Sequence, residues 1–285
     1  MDDAGVRLLT PDALRALMAK WDEEKYLLVD VRQPSEYTQG HIPGATLLPL
    51  TELQAKVFDL PSDRELVFYC HAGGRSSFAA DLAAEAEVTE RGVYNLAGGI
   101  LAWDGRMLPD YPRVQVFDKQ KSPAELLMTA MNLEKGAFRF YTHVVEKFGD
   151  APFVKTMSDL SRAEEGHART IHRFWERIGN GKEPFEALFD RLDGEILEGG
   201  GDLKQMMARV DQMDQRDQRD QTRQNPCMTL MELALSIEYA AYDLYRTMAI
   251  QNEDSAARDA FWRIAQAEKA HMRMITRAIP ECEKG

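Results

Sequence analysis

The sequence predicts two domains, an N-terminal α/β domain with a mainly parallel sheet and helices on both faces, and a C-terminal all-α domain with four long helices. The chain has 285 residues, about the length of two domains. Up to residue 112, short apolar runs alternate with helical stretches, which is typical of parallel strands joined by helices. From residue 123 onward, long helical stretches replace the short runs.

The first domain, predicted at residues 1–112, has two clear helices and four candidate strands. Residues 11–21 are expected to be helical, because Thr10 can cap the first turn and Pro11 suits the first helical position. An alanine-rich helix is expected at residues 76–87. The strands are expected at residues 26–31, 45–50, 65–70 and 92–96.

A linker is predicted at residues 113–122 and the second domain at residues 123–285. A capping box at Ser122 opens the first long helix. Residues 180–225 are expected to form an irregular crossover, with the charged tract 211–223 as a solvated helix or loop. A four-helix bundle with one long crossover is a known topology. The long helices are expected at residues 123–148, 151–179, 226–251 and 255–279.

Composition excludes several classes of function. The formal net charge of −12 argues against nucleic acid and anionic membranes as partners, because both are bound through Lys and Arg. No run approaches about 18 uncharged apolar residues, and the acidic start lacks the features of a signal peptide, so a cytoplasmic location is expected. Cys70, Cys227 and Cys282 are too few for a disulfide framework. Cys227 and Cys282 are expected to be unpaired thiols, with a redox couple as the alternative.

Cys70 is the candidate nucleophile, because it stands between a predicted strand and a predicted helix. Backbone N–H groups and the positive end of the helix converge at such a turn and favour the thiolate. Gly73 and Gly74 let the backbone curl around the sulfur, and Arg75 adds a fixed positive charge for an oxyanion.

This loop resembles the active-site loop of the rhodanese family in its Cys-x-x-Gly-x-Arg-Ser pattern. Two further motifs stand in the family's order, Asp30-Val31-Arg32 with Glu36 and residues 40–45 upstream, and residues 95–103 downstream. The resemblance implies that Cys70 takes a sulfane sulfur from thiosulfate or another donor and passes it, as a persulfide, to a thiol or cyanide. It also implies catalytic roles for Cys70 and Arg75 and a substrate-binding loop of His71, Ala72, Gly73, Gly74 and Ser76.

Alternatives at this loop are a phosphatase and a module used only for binding. The family's phosphatase relatives have a loop one residue longer, so the spacing from Cys70 to Arg75 favours sulfur over phosphoryl chemistry. Asp30, Arg32 and His41 are expected to be scaffold residues.

A carboxylate and histidine pattern occurs twice in the second half. A lone Glu is followed 30 residues later by Glu-x-x-His, and the two copies lie 104 residues apart, which indicates a duplicated helical hairpin. Each of the four glutamates lies 15 residues from its turn, about 22 Å along the helix, and each His shares the helix face of the Glu three residues before it, so the groups are expected to meet at one height. The candidate ligands are Glu134, Glu164 and His167 in the first copy, and Glu238, Glu268 and His271 in the second.

Six buried ionisable groups require a neutralising cation. Four carboxylates and two imidazoles suit two iron ions, with manganese as the alternative metal. A salt-bridged polar layer without metal is the competing interpretation. This ligand pattern resembles that of the ferritin-like proteins, and because their bundles often dimerise, the resemblance implies a homodimer.

The second half also resembles the rubrerythrin branch of the ferritin-like proteins, over about 155 residues. The resemblance implies a di-iron oxidoreductase that reduces peroxide or oxygen, with Tyr141 and Tyr245 as hydrogen-bond donors to ligand carboxylates. Two features depart from the family pattern. Ala241 stands where rubrerythrins usually have a further ligand Glu, and no Cys-x-x-Cys pair follows, so electrons must come from an external donor.

The leading hypothesis joins both sites in one enzyme, a sulfurtransferase coupled to a di-iron oxidoreductase. One alternative is a sulfur or iron sensor or carrier whose bundle serves binding or dimerisation. Another is a ferroxidase.

Overall fold

A computed structural model describes residues 5–118, 120–178, 182–217 and 226–282 of the chain. The chain divides into two compact units, Met1–Tyr111 and Pro112–Gly285. Across the described residues, every helix is too short or too polar to cross a membrane.

The first unit contains a five-stranded, entirely parallel sheet with the strand order β1-β5-β4-β2-β3. The strands are β1 (Arg7–Leu9), β2 (Tyr26–Asp30), β3 (Thr46–Leu47), β4 (Glu65–Tyr69) and β5 (Val93–Leu96). The helices are α1 (Pro11–Lys20), α2 (Pro34–Gln39), α3 (Leu50–Lys56), α4 (Gly74–Glu85) and α5 (Gly99–Ala102). The predicted α/β domain with a parallel sheet is therefore confirmed.

Apart from Asp30 and Glu65 at their ends, the central strands β2 and β4 are apolar, because both of their faces are covered. Strand β1 was not predicted, because three residues are too few for a periodic pattern. The strand predicted at residues 45–50 is wrong beyond Leu47, since Pro49 lacks an N–H group and Leu50 already begins α3. Helix α4 begins two residues earlier than predicted, at Gly74.

The second unit is helical. Its four long helices are α6 (Pro123–Phe148), α7 (Val154–Arg177), α10 (Pro226–Gln251) and α11 (Ser255–Cys282), close to the predicted positions. Helix α6 packs along α7, α10 packs along α11, and α11 contacts both α6 and α7. A ferritin-like arrangement of these helices stays a prediction. Residues of the predicted linker also pack here, since Phe117 is buried against Phe261 with 5.6 Å between the ring centroids.

The crossover predicted as irregular is wrong in part. It contains α8 (Phe185–Arg191) and α9 (Leu203–Asp217). Leu203 and Val210 are both buried and lie seven residues apart, so α9 has an apolar stripe that its many charges obscure in the sequence. Residues 218–223 of the charged tract lie outside the described residues.

The expectation of two unpaired thiols is also wrong, because Cys227 and Cys282 form a disulfide. Cys227 lies in the first turn of α10, and Cys282 is the last residue of α11. The antiparallel helices bring their Cα atoms to 5.4 Å, which a disulfide can span. Cys70 is the free cysteine of the described residues.

Candidate active site and candidate metal centre

Cys70 lies in the loop between β4 and α4, as predicted. Its Sγ accepts a hydrogen bond from the Gly73 amide at 3.2 Å and lies 3.4 Å from the Ser76 hydroxyl. Gly73 has a φ of +98°, a left-handed conformation that favours glycine and that turns its amide toward the sulfur. Cys70 is 1% exposed, whereas His71, Ala72 and Gly74 in the same loop are exposed.

The environment of Cys70 favours the thiolate. Burial opposes the charged form, but hydrogen bonds from the Ser76 hydroxyl and from the amides of Ser76, Gly73 and Ala72 outweigh it and lower the pKa of the thiol. Ser76 lies in the first turn of α4, and Ala72 and Gly73 lie in the loop just before it, so these donors come from the loop and the start of the helix. The loop can therefore hold a negatively charged sulfur.

Arg75, which is expected to add a fixed positive charge for an oxyanion, forms a bidentate ion pair with Glu36. The two hydrogen bonds from its guanidinium measure 2.8 and 2.7 Å. Arg75 lowers the pKa of the Glu36 carboxyl to about 2, so the pair persists at neutral pH. The sequence places Glu36 in the upstream motif but assigns it no role, because 39 residues separate the partners.

The downstream motif, residues 95–103, forms hydrogen bonds with the backbone of the cysteine loop. The amides of Ile100 and Leu101 donate to the carbonyl oxygens of Cys70 and His71, at 2.8 and 3.1 Å. A Cβ added at Gly99 would lie 2.4 Å from the Cys70 carbonyl oxygen, so only glycine allows this close approach.

Asp30, Arg32 and His41 lie in the core of the first unit. Arg32 donates to Asp30 and to the Gly40 carbonyl oxygen, each at 2.7 Å. The His41 ring stacks on Tyr37 with centroids 3.9 Å apart. These side chains therefore connect the end of β2 with α2 and the segment that follows α2.

The structure brings together all six predicted metal ligands of the second unit. Each of the four long helices contributes at the same height, and all six residues are buried. The residues are Glu134 on α6, Glu164 and His167 on α7, Glu238 on α10, and Glu268 and His271 on α11.

Two of the four carboxylates contact both imidazoles, and each of the other two contacts only one imidazole. The rings stack with centroids 4.6 Å apart, and Nδ1 of each faces the carboxylates. Glu134 lies 3.2 Å from His167, and Glu238 lies 2.9 Å from His271. Oxygens of Glu164 and of Glu268 lie 3.0 to 3.2 Å from both imidazoles. This arrangement has the approximate two-fold symmetry of the sequence repeat.

Tyr141 and Tyr245 also occupy symmetric positions. Tyr141 on α6 donates a hydrogen bond to Glu238 on α10. Tyr245 on α10 donates to Glu134 on α6 at 2.5 Å. Each tyrosine therefore orients a carboxylate of the opposite hairpin.

The charges of this cluster are incompletely balanced. Burial raises the pKa of Glu134 to about 7 and holds the pKa of Glu238 well above its usual range. Burial opposes the charge of His167, but the facing carboxylates outweigh it and raise the pKa of the imidazole. The buried carboxylates and the facing imidazole nitrogens form groups that could hold a metal ion.

Sequence reasoning missed one acidic residue of the cluster, Glu198. It lies between α8 and α9, is fully buried, and groups with Glu134, Glu164 and Glu268. It belongs to neither copy of the repeat, so no spacing signal could have identified it.

Comparisons with known proteins concern the first unit. The family model described as "Rhodanese-like domain" matches residues 10–106. A protein of Allochromatium vinosum named "Sulfurtransferase" is 42% identical over 91 residues, which cover 31% of this chain and 80% of that protein. "Uncharacterized protein YqhL" of Bacillus subtilis is 34% identical over 102 residues, 36% of this chain and 75% of that protein. "Probable adenylyltransferase/sulfurtransferase MoeZ" of Mycobacterium tuberculosis is 38% identical over 104 residues, 36% of this chain and 26% of that protein.

Proposed function

The chain belongs to the rhodanese-like family through residues 10–106, and on this basis we propose that it is a sulfurtransferase in which Cys70 carries the sulfane sulfur. The observation that supports this most directly is the Cys70 sulfur, held by the Gly73 amide in a loop that lowers its pKa. A persulfide has a terminal sulfur anion, and the same loop donors can stabilise it.

The transfer takes two displacements. The Cys70 thiolate attacks the outer sulfur of thiosulfate, the S–S bond breaks, and sulfite leaves with the bonding electron pair. Cyanide or a thiolate then attacks the outer sulfur of the persulfide, and the Cys70 thiolate is released. Arg75, oriented by Glu36, offers positive charge to the anionic donor.

Replacement of Cys70 tests this function. We expect Cys70→Ser to abolish thiosulfate:cyanide sulfurtransfer, because a serine hydroxyl is not ionised at neutral pH and forms no persulfide. The matched control is Glu164→Ala/His167→Ala, which removes two candidate metal ligands and leaves the cysteine loop intact. Equal turnover in Cys70→Ser and wild-type protein would contradict the proposal. A persulfide on Cys70 without turnover would favour a sulfur carrier or sensor.

For the second unit, we propose a dinuclear iron or manganese centre in a ferritin-like four-helix bundle. Glu134 with His167 would hold one ion, Glu238 with His271 the other, and Glu164 and Glu268 would contact both. The stacked imidazoles and the shared carboxylates support this proposal. Such a centre supplies reduction of peroxide or oxygen with electrons from an external donor. Tyr141 and Tyr245 hold the carboxylates of Glu238 and Glu134 in place.

Metal content of the purified protein tests this centre. Two ions per chain are expected in wild-type and Cys70→Ser protein, and fewer than one in Glu164→Ala/His167→Ala. Wild-type protein that binds no metal after incubation with Fe(II) would contradict the centre and favour a salt-bridged layer. Oxidation of Fe(II) in excess of two per chain would favour the ferroxidase alternative.

We further propose that the two sites are linked, so that the metal centre handles oxidants in sulfide or persulfide metabolism. The support is that one chain carries a loop suited to sulfur transfer and a cluster suited to redox-active metals.

A further inference from the structure

A fifth carboxylate reaches the cluster from the crossover loop, which we define as residues 192–202. Glu198 is fully buried, and one of its oxygens lies within 4.8 Å of oxygens from Glu134, Glu164 and Glu268. Among the described residues, neither oxygen of Glu198 has a hydrogen-bond partner. A carboxylate buried in this way is unfavourable unless something else compensates its charge.

The crossover loop lies too close to two helices for larger side chains. A Cβ added at Gly136 on α6 would lie 2.2 Å from the Ile196 carbonyl oxygen. A Cβ added at Gly199 would lie 2.6 Å from the Ala240 Cβ on α10. Glycine at both positions therefore lets the loop reach the helices that carry the two single glutamates.

Hydrogen bonds fix the loop in this position. The Gly194 amide donates to the Asn132 side chain at 3.0 Å, and the Arg113 guanidinium donates to the Gly200 carbonyl at 2.8 Å. Within the loop, the Leu197 amide donates to the Gly201 carbonyl at 2.8 Å. A side chain presented by a loop held at both ends has a defined place, as a ligand requires.

The helices themselves lack a further carboxylate where Glu198 enters. The positions three residues after Glu134 and Glu238 are Ala137 and Ala241, and both alanines are fully buried. A glutamate there would share the helix face of the preceding ligand. The crossover loop thus brings a carboxylate to the cluster, whereas α6 and α10 have only the methyl groups of Ala137 and Ala241 at these positions.

Among the described residues, the fully buried carboxyl group of Glu198 has no hydrogen-bond partner. An ion in the centre would give both oxygens a partner.

We propose that Glu198 is a metal ligand, supplied by the crossover loop, and that it makes the two ion positions inequivalent. The inference rests on the proposed dinuclear centre. Glu198 groups with Glu134 and with the two shared glutamates, Glu164 and Glu268, but not with Glu238. Because the crossover occurs once, the second copy of the repeat has no equivalent residue.

Titration of metal-free, full-length protein with Co(II) tests this, with the visible spectrum of the bound ion and calorimetry as readouts. Wild-type protein is expected to bind two Co(II) per chain. Glu198→Gln keeps the shape but loses the charge, and should bind one of the two ions at least about tenfold more weakly, with an altered spectrum. Glu195→Gln is the matched control, because Glu195 lies in the same loop and is exposed.

The outcomes separate this inference from the proposed centre. Two ions bound by Glu198→Gln with wild-type affinities and spectrum would overturn the role of Glu198 alone. Wild-type protein that binds no Co(II) would overturn the centre and the inference with it. If circular dichroism shows that Glu198→Gln does not fold, Glu198→Asp is titrated instead, and unchanged affinity for both ions overturns the proposal.

Discussion

Arg75 stands beside the cysteine loop with its guanidinium held by Glu36. Both side chains are about one-third exposed, so the ion pair contributes little to stability, and its role is to orient Arg75. The pKa of Glu36 is lowered to about 2, so this contribution is present above the usual glutamate range and is lost as the pH falls through about 2. The orientation of Arg75 is therefore constant over the pH range in which a thiolate acts.

Ser76 is the residue whose replacement should change the reactivity of Cys70 most selectively. Its hydroxyl lies 3.4 Å from Sγ and favours the thiolate. We expect Ser76→Ala to raise the pKa of Cys70, because the charged sulfur loses a donor while burial still opposes its charge. The midpoint of the pH profile of Cys70 alkylation by iodoacetamide should therefore move upward, and alkylation below that midpoint should be slower.

Ser77→Ala is the matched control, since Ser77 is the next residue of α4 and donates no hydrogen bond to Sγ among those described. An unchanged midpoint in Ser76→Ala, or an equal shift in Ser77→Ala, would contradict this explanation. Native protein that is not alkylated at any pH would show that Cys70 is inaccessible.

Residues near each other in sequence and residues related by the repeat were predictable, and other residues paired across the fold were not. The residues of the cysteine loop follow one another in the sequence, so the anion-binding turn could be predicted from them directly. The Glu36 partner of Arg75 and the buried Glu198 come from distant segments, and neither lies at a periodic spacing from its partners.

At the scale of elements, the disulfide joins the start of α10 to the end of α11. It closes a chain segment with a sequence separation of 55 residues, which restricts the unfolded state. We expect Cys227→Ser to lower the free energy of unfolding by about 4 kcal/mol, measured by chemical denaturation without reductant.

Cys70→Ser is the control, because it removes a thiol and keeps the disulfide. Thiol counting on denatured wild-type protein should give one thiol without reductant and three after reduction. Three thiols without reductant would show that the disulfide is absent.

The long helices were predictable because their apolar faces repeat and proline or glycine breaks separate them. The turn positions then placed the candidate ligands, since a hairpin of equal arms aligns residues equidistant from its turn. Helix α9 and the crossover loop were not predictable in the same way. Contacts with α6 and α10 hold the crossover loop in place. The glycines that allow these close contacts cannot be told from other glycines in the sequence, because their neighbours come from distant segments.

At the scale of the whole molecule, the proposed link between the sites predicts that sulfur supply affects peroxide consumption. Wild-type protein with metal bound should consume peroxide faster when thiosulfate and a thiol are present. Transfer of the sulfane sulfur to the thiol gives a thiol persulfide, and two such persulfides that join through a new S–S bond release the two electrons and two protons that reduce peroxide to water. Cys70→Ser should lose this stimulation and keep its metal. Equal peroxide consumption in both proteins, with and without thiosulfate, would contradict the link. It would not contradict the proposed sulfur-transfer site or the proposed metal centre.

The sequence by itself determined the two-part organisation, the cysteine loop and the six-residue carboxylate and histidine repeat. These features depend on local spacing, which fixes the helix face, the strand end and the turn. Only the tertiary structure decided that Glu36 orients Arg75, that Cys227 meets Cys282, and that Glu198 enters the carboxylate cluster. Each of these contacts joins segments that lie far apart in the chain, and it forms because packing of the core brings their backbones together.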